Sequence, residues 1–118
     1  MNDIVRQKFD RKLSDAVEYG GVVYLAGQVA EDLKTGMKDQ TADVLRQIDA
    51  LLAKCGSHKS RILSATVYVN DMKLKPQMDE AWLAWVDPDN PPARATVEVQ
   101  LGSRDTLVEI MCVAAKQA

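Results

Sequence analysis

A chain of 118 residues is about one domain's worth and can bury a real core, and a make-up of 47% hydrophobic and 27% charged residues is ordinary for a soluble globular protein. The net charge of −2, with Lys and Arg scattered along the chain, argues against a nucleic-acid surface, because phosphate binding shows as clustered basic residues. A long apolar span and a signal-peptide pattern are both missing, so the chain reads as one cytoplasmic domain over 1–118.

In chain order, Ile4 to Phe9 and Ala16 to Tyr19 read as short strands. Gly20-Gly21 is a two-residue turn of the kind that joins antiparallel strands, and the return strand runs from Val22 to Val29. Its near-continuous apolar run implies burial on both faces. Glu31 to Gln40 reads as a loop with a turn at Lys34-Thr35-Gly36. From Thr41 the period becomes helical: Val44, Leu45, Ile48, Leu51 and Leu52 form one face, and Gly56 suits the left-handed position after the last turn.

Arg61 to Asn70 alternates as a strand, and a second helix with Pro76 in its first turn carries Met78, Ala81, Trp82, Trp85 and Val86 at helical spacing until Asp87-Pro88 stops it. That spacing makes the two tryptophans core residues rather than a stacking platform. Pro91-Pro92 then holds the chain extended into a strand over Arg94 to Leu101. Val97, Val99 and Leu101 fall on one face of this strand, and Arg94, Thr96, Glu98 and Gln100 on the other. After a turn at Gly102 to Asp105, the last strand runs from Leu107 to Ala115.

Two charged residues stand out. The planar fork of Arg94, fixed at a strand end, suits a carboxylate or phosphate. Charges on strands are usually surface groups, however, and spacing alone leaves an ordinary ion pair ahead of an anion site. Glu109 interrupts an apolar strand, where a carboxylate is costly unless paired or at a wet edge. If the last two strands neighbour each other, Arg94 can supply the opposite charge, directly or across a subunit boundary.

Other chemistry is poorly supported. Cys55 and Cys112 lack CxxC spacing and read as free thiols. His58 is the lone histidine, with no partner for a zinc site or a Ser-His-Asp triad. The glycines form no phosphate-binding pattern. The element order predicts an α+β layer with a mixed sheet and both helices on one face. Two helices cover one face only, so the other, equally apolar, face is expected to meet copies of itself in a closed homo-oligomer.

Tyr24-Leu25-Ala26-Gly27-Gln28-Val29, Pro92-Ala93-Arg94-Ala95-Thr96-Val97-Glu98-Val99 and Val108-Glu109-Ile110 together resemble the reactive intermediate deaminase family, Rid or YjgF-like, over nearly the whole chain. The resemblance implies a chorismate-mutase-like fold, a homotrimer and clefts between subunits. It also implies hydrolysis of 2-imino acids, formed from unstable enamines such as 2-aminoacrylate that PLP-dependent dehydratases release, to 2-keto acids and ammonia. No metal or cofactor is required.

By that likeness Arg94 binds the substrate carboxylate, the Thr96 backbone contacts the same group, and Glu109 positions the attacking water. Gly27 matches the family glycine. Three positions depart from the family: Leu13 stands where many members carry a cleft tyrosine, Ala26 replaces a serine, and Asp79 falls where an asparagine is frequent. Leu13 and Ala26 remove hydroxyls, and Asp79 near the pocket disfavours an anion. A non-catalytic trimer that binds or senses a keto acid is the alternative. An RNA-directed activity, after which some relatives are named, fits the acidic balance poorly.

Overall fold

The computed structural model describes residues 3–117. Its elements are β1 (Val5–Phe9), β2 (Ser14–Tyr19), β3 (Val22–Leu25), β4 (Gln28–Val29), α1 (Met37–Lys54), β5 (Ile62–Val69), α2 (Lys75–Trp85), β6 (Ala93–Glu98) and β7 (Val108–Ala115), with short 3-10 turns before β5 and α2. The strands make one sheet in the order β1-β2-β3-β7-β5-β6, with β4 also on β7. All pairs are antiparallel except β5 with β6. This is the expected α+β layer, a mixed sheet with two helices on one face.

Local chemistry accounts for most boundaries. Gly20 and Gly21 adopt φ of 60° and 82°, the left-handed pair that a tight hairpin between β2 and β3 needs. Gly56, at φ 69°, ends α1, and the following Ser57 N–H bonds back to the Leu52 carbonyl at 2.9 Å. His58 serves as a cap: its Nδ1 accepts from the Ser60 N–H in the turn before β5. No helix among the described residues is long and apolar enough to cross a membrane.

The core lies between the helices and one sheet face. Val44, Leu45, Ile48 and Leu52 from α1 meet Val67 and Val69 from β5 and Val108, Ile110, Cys112 and Ala114 from β7, all buried. Met78 and Trp82 extend it under α2, and Trp85 donates its Nε1–H to Asp49 at 2.9 Å. Both tryptophans therefore pack as the helical spacing predicts.

Several expectations are corrected. Helix α1 begins at Met37, inside the supposed loop, because Met37 and Thr41 continue the buried stripe. Gln40 looked like a loop residue but is wholly buried: its amide donates to the Thr35 and Asp105 carbonyls and accepts from the Leu107 N–H. The long strand from Val22 breaks at Ala26-Gly27. There the Ala26 N–H turns to the Asp15 carbonyl at 2.8 Å. Strand β6 ends at Glu98 rather than Leu101. Finally, β6 and β7 are not neighbours, since β5 lies between them and β6 is an edge strand.

Among the described residues the other sheet face is left bare. Val97 is 41% exposed, Met111 39% and Tyr24 49%. Cross-strand partners share a side of the sheet, and register places Tyr24 opposite Val113, and Val97 opposite Tyr68, which faces Glu109. One contiguous apolar surface therefore carries Glu109.

Candidate functional site

Arg94 occupies the second position of the edge strand β6, opposite Ala65 of β5, whose buried side chain faces the helices. The arginine points the same way and meets α2. Its Nη1 lies 2.8 Å from Asp79 Oδ1 and 3.9 Å from Met78 Sδ, and its Cζ stands 5.1 Å from the centre of the Trp82 ring. The aromatic face adds a cation-π attraction to the ion pair. The arginine side chain is 21% exposed, so its head is neither in bulk solvent nor sealed.

Asp79 is bridged from both sides, because Lys75 Nζ lies 2.6 Å from its other oxygen. Lys75, Met78, Asp79 and Trp82 share one stripe of α2 at spacings of three and four, which is why a single helix supplies the whole arginine setting. Burial pushes the Asp79 carboxyl up, but the hydrogen bonds and charges of Lys75 and Arg94 outweigh it and hold the pKa below the ordinary value. The acid is therefore ionised at neutral pH.

Glu109 belongs to the opposite face. It sits on β7 between Val29 and Tyr68 in register, among residues that alternate with the core positions Val108 and Ile110. Its carboxylate lies directly on the backbone of Gly27: a Cβ at residue 27 would overlap Oε2 and stand 2.9 Å from Cδ. Glycine is needed here for close approach. Glu109 also lines a concavity of about 280 Å³ with Tyr68, Gln100, Leu101, Gly102 and Met111. Among the described residues it has no ion-pair partner.

The residues singled out from the sequence thus fall into two groups. Arg94, Asp79 and Thr96 lie on the helix side, with Thr96 two residues beyond Arg94 and opposite the buried Val67. Glu109 and Gly27 meet at the break between β3 and β4, next to Ala26. Leu13 precedes β2 in an Asp10-to-Leu13 turn and is exposed. Arg94 and Glu109 are not brought together within one chain. One sits on the row Arg94-Ala65-Cys112 and the other on the row Val97-Tyr68-Glu109, on opposite faces. Sequence reasoning missed Lys75 and the arginine-bearing role of Met78 and Trp82, although their spacing relative to Asp79 carried the signal.

A mixed sheet backed by two helices, with an arginine on its edge strand and a glutamate seated over a glycine on its bare face, defines an α+β single-sheet domain. The Endoribonuclease L-PSP family model matches residues 6–116, and the chain belongs to that family, the Rid/YjgF-like proteins. A RutC family protein of Haemophilus ducreyi is 42% identical over 112 residues, covering 95% of this chain and 96% of its own. The RutC family protein YoaB of Escherichia coli K12 is 42% identical over 112 residues, covering 95% and 97%. A solved member of the YjgF protein family from Neisseria meningitidis superposes with a TM-score of 0.94 at 41% identity, covering 98% of this chain and 97% of its own.

Proposed function

We propose that this protein is a 2-imino acid deaminase that works as a homotrimer, with its clefts between subunits. The observation that carries the reading is the placement of Arg94 and Glu109 on opposite faces of one sheet. Arg94 lies on an exposed edge strand and Glu109 on an uncovered apolar face. When the bare face of one copy meets the edge of another, the two groups can converge on one small molecule. A contiguous apolar surface of this kind is what closed homo-oligomers bury.

In such a cleft Arg94 holds the carboxylate of the imino acid through charge-assisted hydrogen bonds, helped by the backbone at Thr96. Ala26, Gly27 and Leu13 line the Glu109 side, and Asp79 sits behind the arginine. Glu109 takes a proton from a bound water as the water oxygen bonds to the imine carbon, and the C=N π pair moves to nitrogen. Protonated Glu109 then returns its proton to the nitrogen of the tetrahedral intermediate, the C–N pair leaves with ammonia as the hydroxyl oxygen's lone pair closes the C=O bond, and the hydroxyl proton passes back to the Glu109 carboxylate, leaving the 2-keto acid. Anchoring and orientation supply most of the effect, because the protonated imine is already electrophilic. The chemistry proposed calls on no metal or cofactor. Two free cysteines fit a reducing cytoplasm.

The test couples a serine or threonine dehydratase to the purified protein and follows keto acid release. Wild type should accelerate it, Arg94→Ala should abolish the acceleration, and Glu109→Ala should weaken it by about 100-fold or more. An imine lifetime unchanged by wild type, across several amino acid sources, would overturn the enzyme reading in favour of a small-acid binding trimer.

A further inference from the structure

Asp79 spends one carboxylate oxygen on each of two cations, Oδ1 on Arg94 at 2.8 Å and Oδ2 on Lys75 at 2.6 Å. The two pairs are built differently. Lys75 and Asp79 stand one turn apart on α2, so they meet whenever the helix forms. Arg94 comes from β6 and reaches Asp79 through Nη1, which also takes the Met78 sulfur contact. Its guanidinium lies against the Trp82 ring, a face on which a planar cation can shift while keeping its contact.

Resting on Arg94 as the carboxylate holder, we infer that Asp79 is an internal counter-carboxylate: it occupies Arg94 in the free protein, yields it to the acid group of the substrate, and remains neutralised by Lys75. Without Lys75, releasing Arg94 would strand a partly buried anion, and the exchange would be opposed. With it, the cluster of two cations and one anion has one positive charge to offer, which a monocarboxylate satisfies. A second acid group on the ligand would face Asp79 uncompensated. Asp79 therefore sets both the strength and the charge class of binding, and it acts through Arg94 as a positioning residue.

The experiment is calorimetric titration of the full-length protein and its variants with 2-oxobutanoate at low ionic strength. Asp79→Asn keeps the shape and removes the competitor, and should tighten Kd by about fivefold, roughly 1 kcal/mol. Lys75→Met should weaken it about threefold, and the double variant should bind like Asp79→Asn, because Lys75 acts only through Asp79. Glu80→Gln, the same charge change one residue along α2 at an exposed pair with Lys38, should shift Kd less than twofold.

If Arg94→Ala abolishes binding while Asp79→Asn leaves Kd unchanged or weaker, or Glu80→Gln tightens it equally, the role of Asp79 is overturned and the carboxylate reading stands. If Arg94→Ala binds like wild type, the carboxylate reading falls and takes this one with it. Should Asp79→Asn fail to fold, a Lys75→Met protein with wild-type affinity overturns the exchange by itself.

Discussion

The two faces of strand β7 are built from alternating residues of one short run, yet they meet opposite fates. Val108, Ile110, Cys112 and Ala114 point to the helices and are fully buried, whereas Glu109 and Met111 point away onto a surface that no other described residue covers. The same contrast separates the two candidate site residues. Arg94, on the helix side, finds its acid, its sulfur and its aromatic partner within its own chain. Glu109, on the bare side, lies against Gly27 and has no ion-pair partner among the described residues. One face is a finished core, and the other is an apolar surface left open.

The sharpest way to break this contrast is complementation. Arg94→Ala and Glu109→Gln chains should each be inactive, but refolded together as mixed trimers they should recover activity in about a quarter of the clefts, where an intact Arg94 meets an intact Glu109 across a boundary. No recovery would place both groups in one subunit's cleft, against the opposite-face geometry. Next in size are neighbouring core and surface changes. Ile110→Ala should cost about 2–5 kcal/mol of stability in denaturant unfolding. Met111→Lys should leave the fold of one chain intact and shift the sedimentation profile to smaller species. Equal stability losses would mean that the two faces do not differ as described.

Gly27→Ala tests the Glu109 seat. The added methyl meets the flexible end of a side chain, so unfolding should change by less than about 1 kcal/mol. The displaced carboxylate should nonetheless cost about tenfold in deaminase rate. Wild-type activity in that variant would show that the seat does not matter.

The smallest effect concerns Glu18, a buried carboxylate held by Lys116 at 2.6 Å and by Gln7 at 3.0 Å. The Lys116 hydrogen bond, then that of Gln7, lower its pKa against the opposing effect of burial. A depressed carboxylate contributes stability above its unfolded value of 4.5 and loses it as pH falls through the lower folded value. Thermal melting of wild type should therefore drop below pH 4.5 more steeply than that of Glu18→Gln. Parallel curves would remove Glu18 from the acid response. The neighbouring Cys55 thiol is pushed up to about 11, chiefly by burial, which leaves it protonated and unreactive at neutral pH.

The amino-acid sequence carried the order and type of the elements, because hydrophobic period, turn glycines and proline stops are local signals. Gly20-Gly21, Gly56 and the stripe Val44 to Leu52 form as their spacing predicts, and so does the alternation in β5 from Ala65 onward, whereas an irregularity at Ile62–Ser64 turns Ile62 into the core and Leu63 out. It also marked Arg94 and Glu109 as the charges to explain, and the likeness around them named the family. Where local chemistry was ambiguous it misled: Met37 to Gln40 looked polar enough for a loop, and only the carbonyls of Asp105 and Thr35 give Gln40 a reason to be buried.

Contacts between distant residues set which strands are neighbours and which face each residue owns. With β5 inserted between β6 and β7, Arg94 and Glu109 fall on opposite sides, and α2 sets Asp79, Lys75 and Trp82 around the arginine. The physical reason is that an alternating strand specifies two faces but not which one meets the helices. That choice belongs to the burial of the whole sheet, and it follows from contacts between residues far apart in the chain.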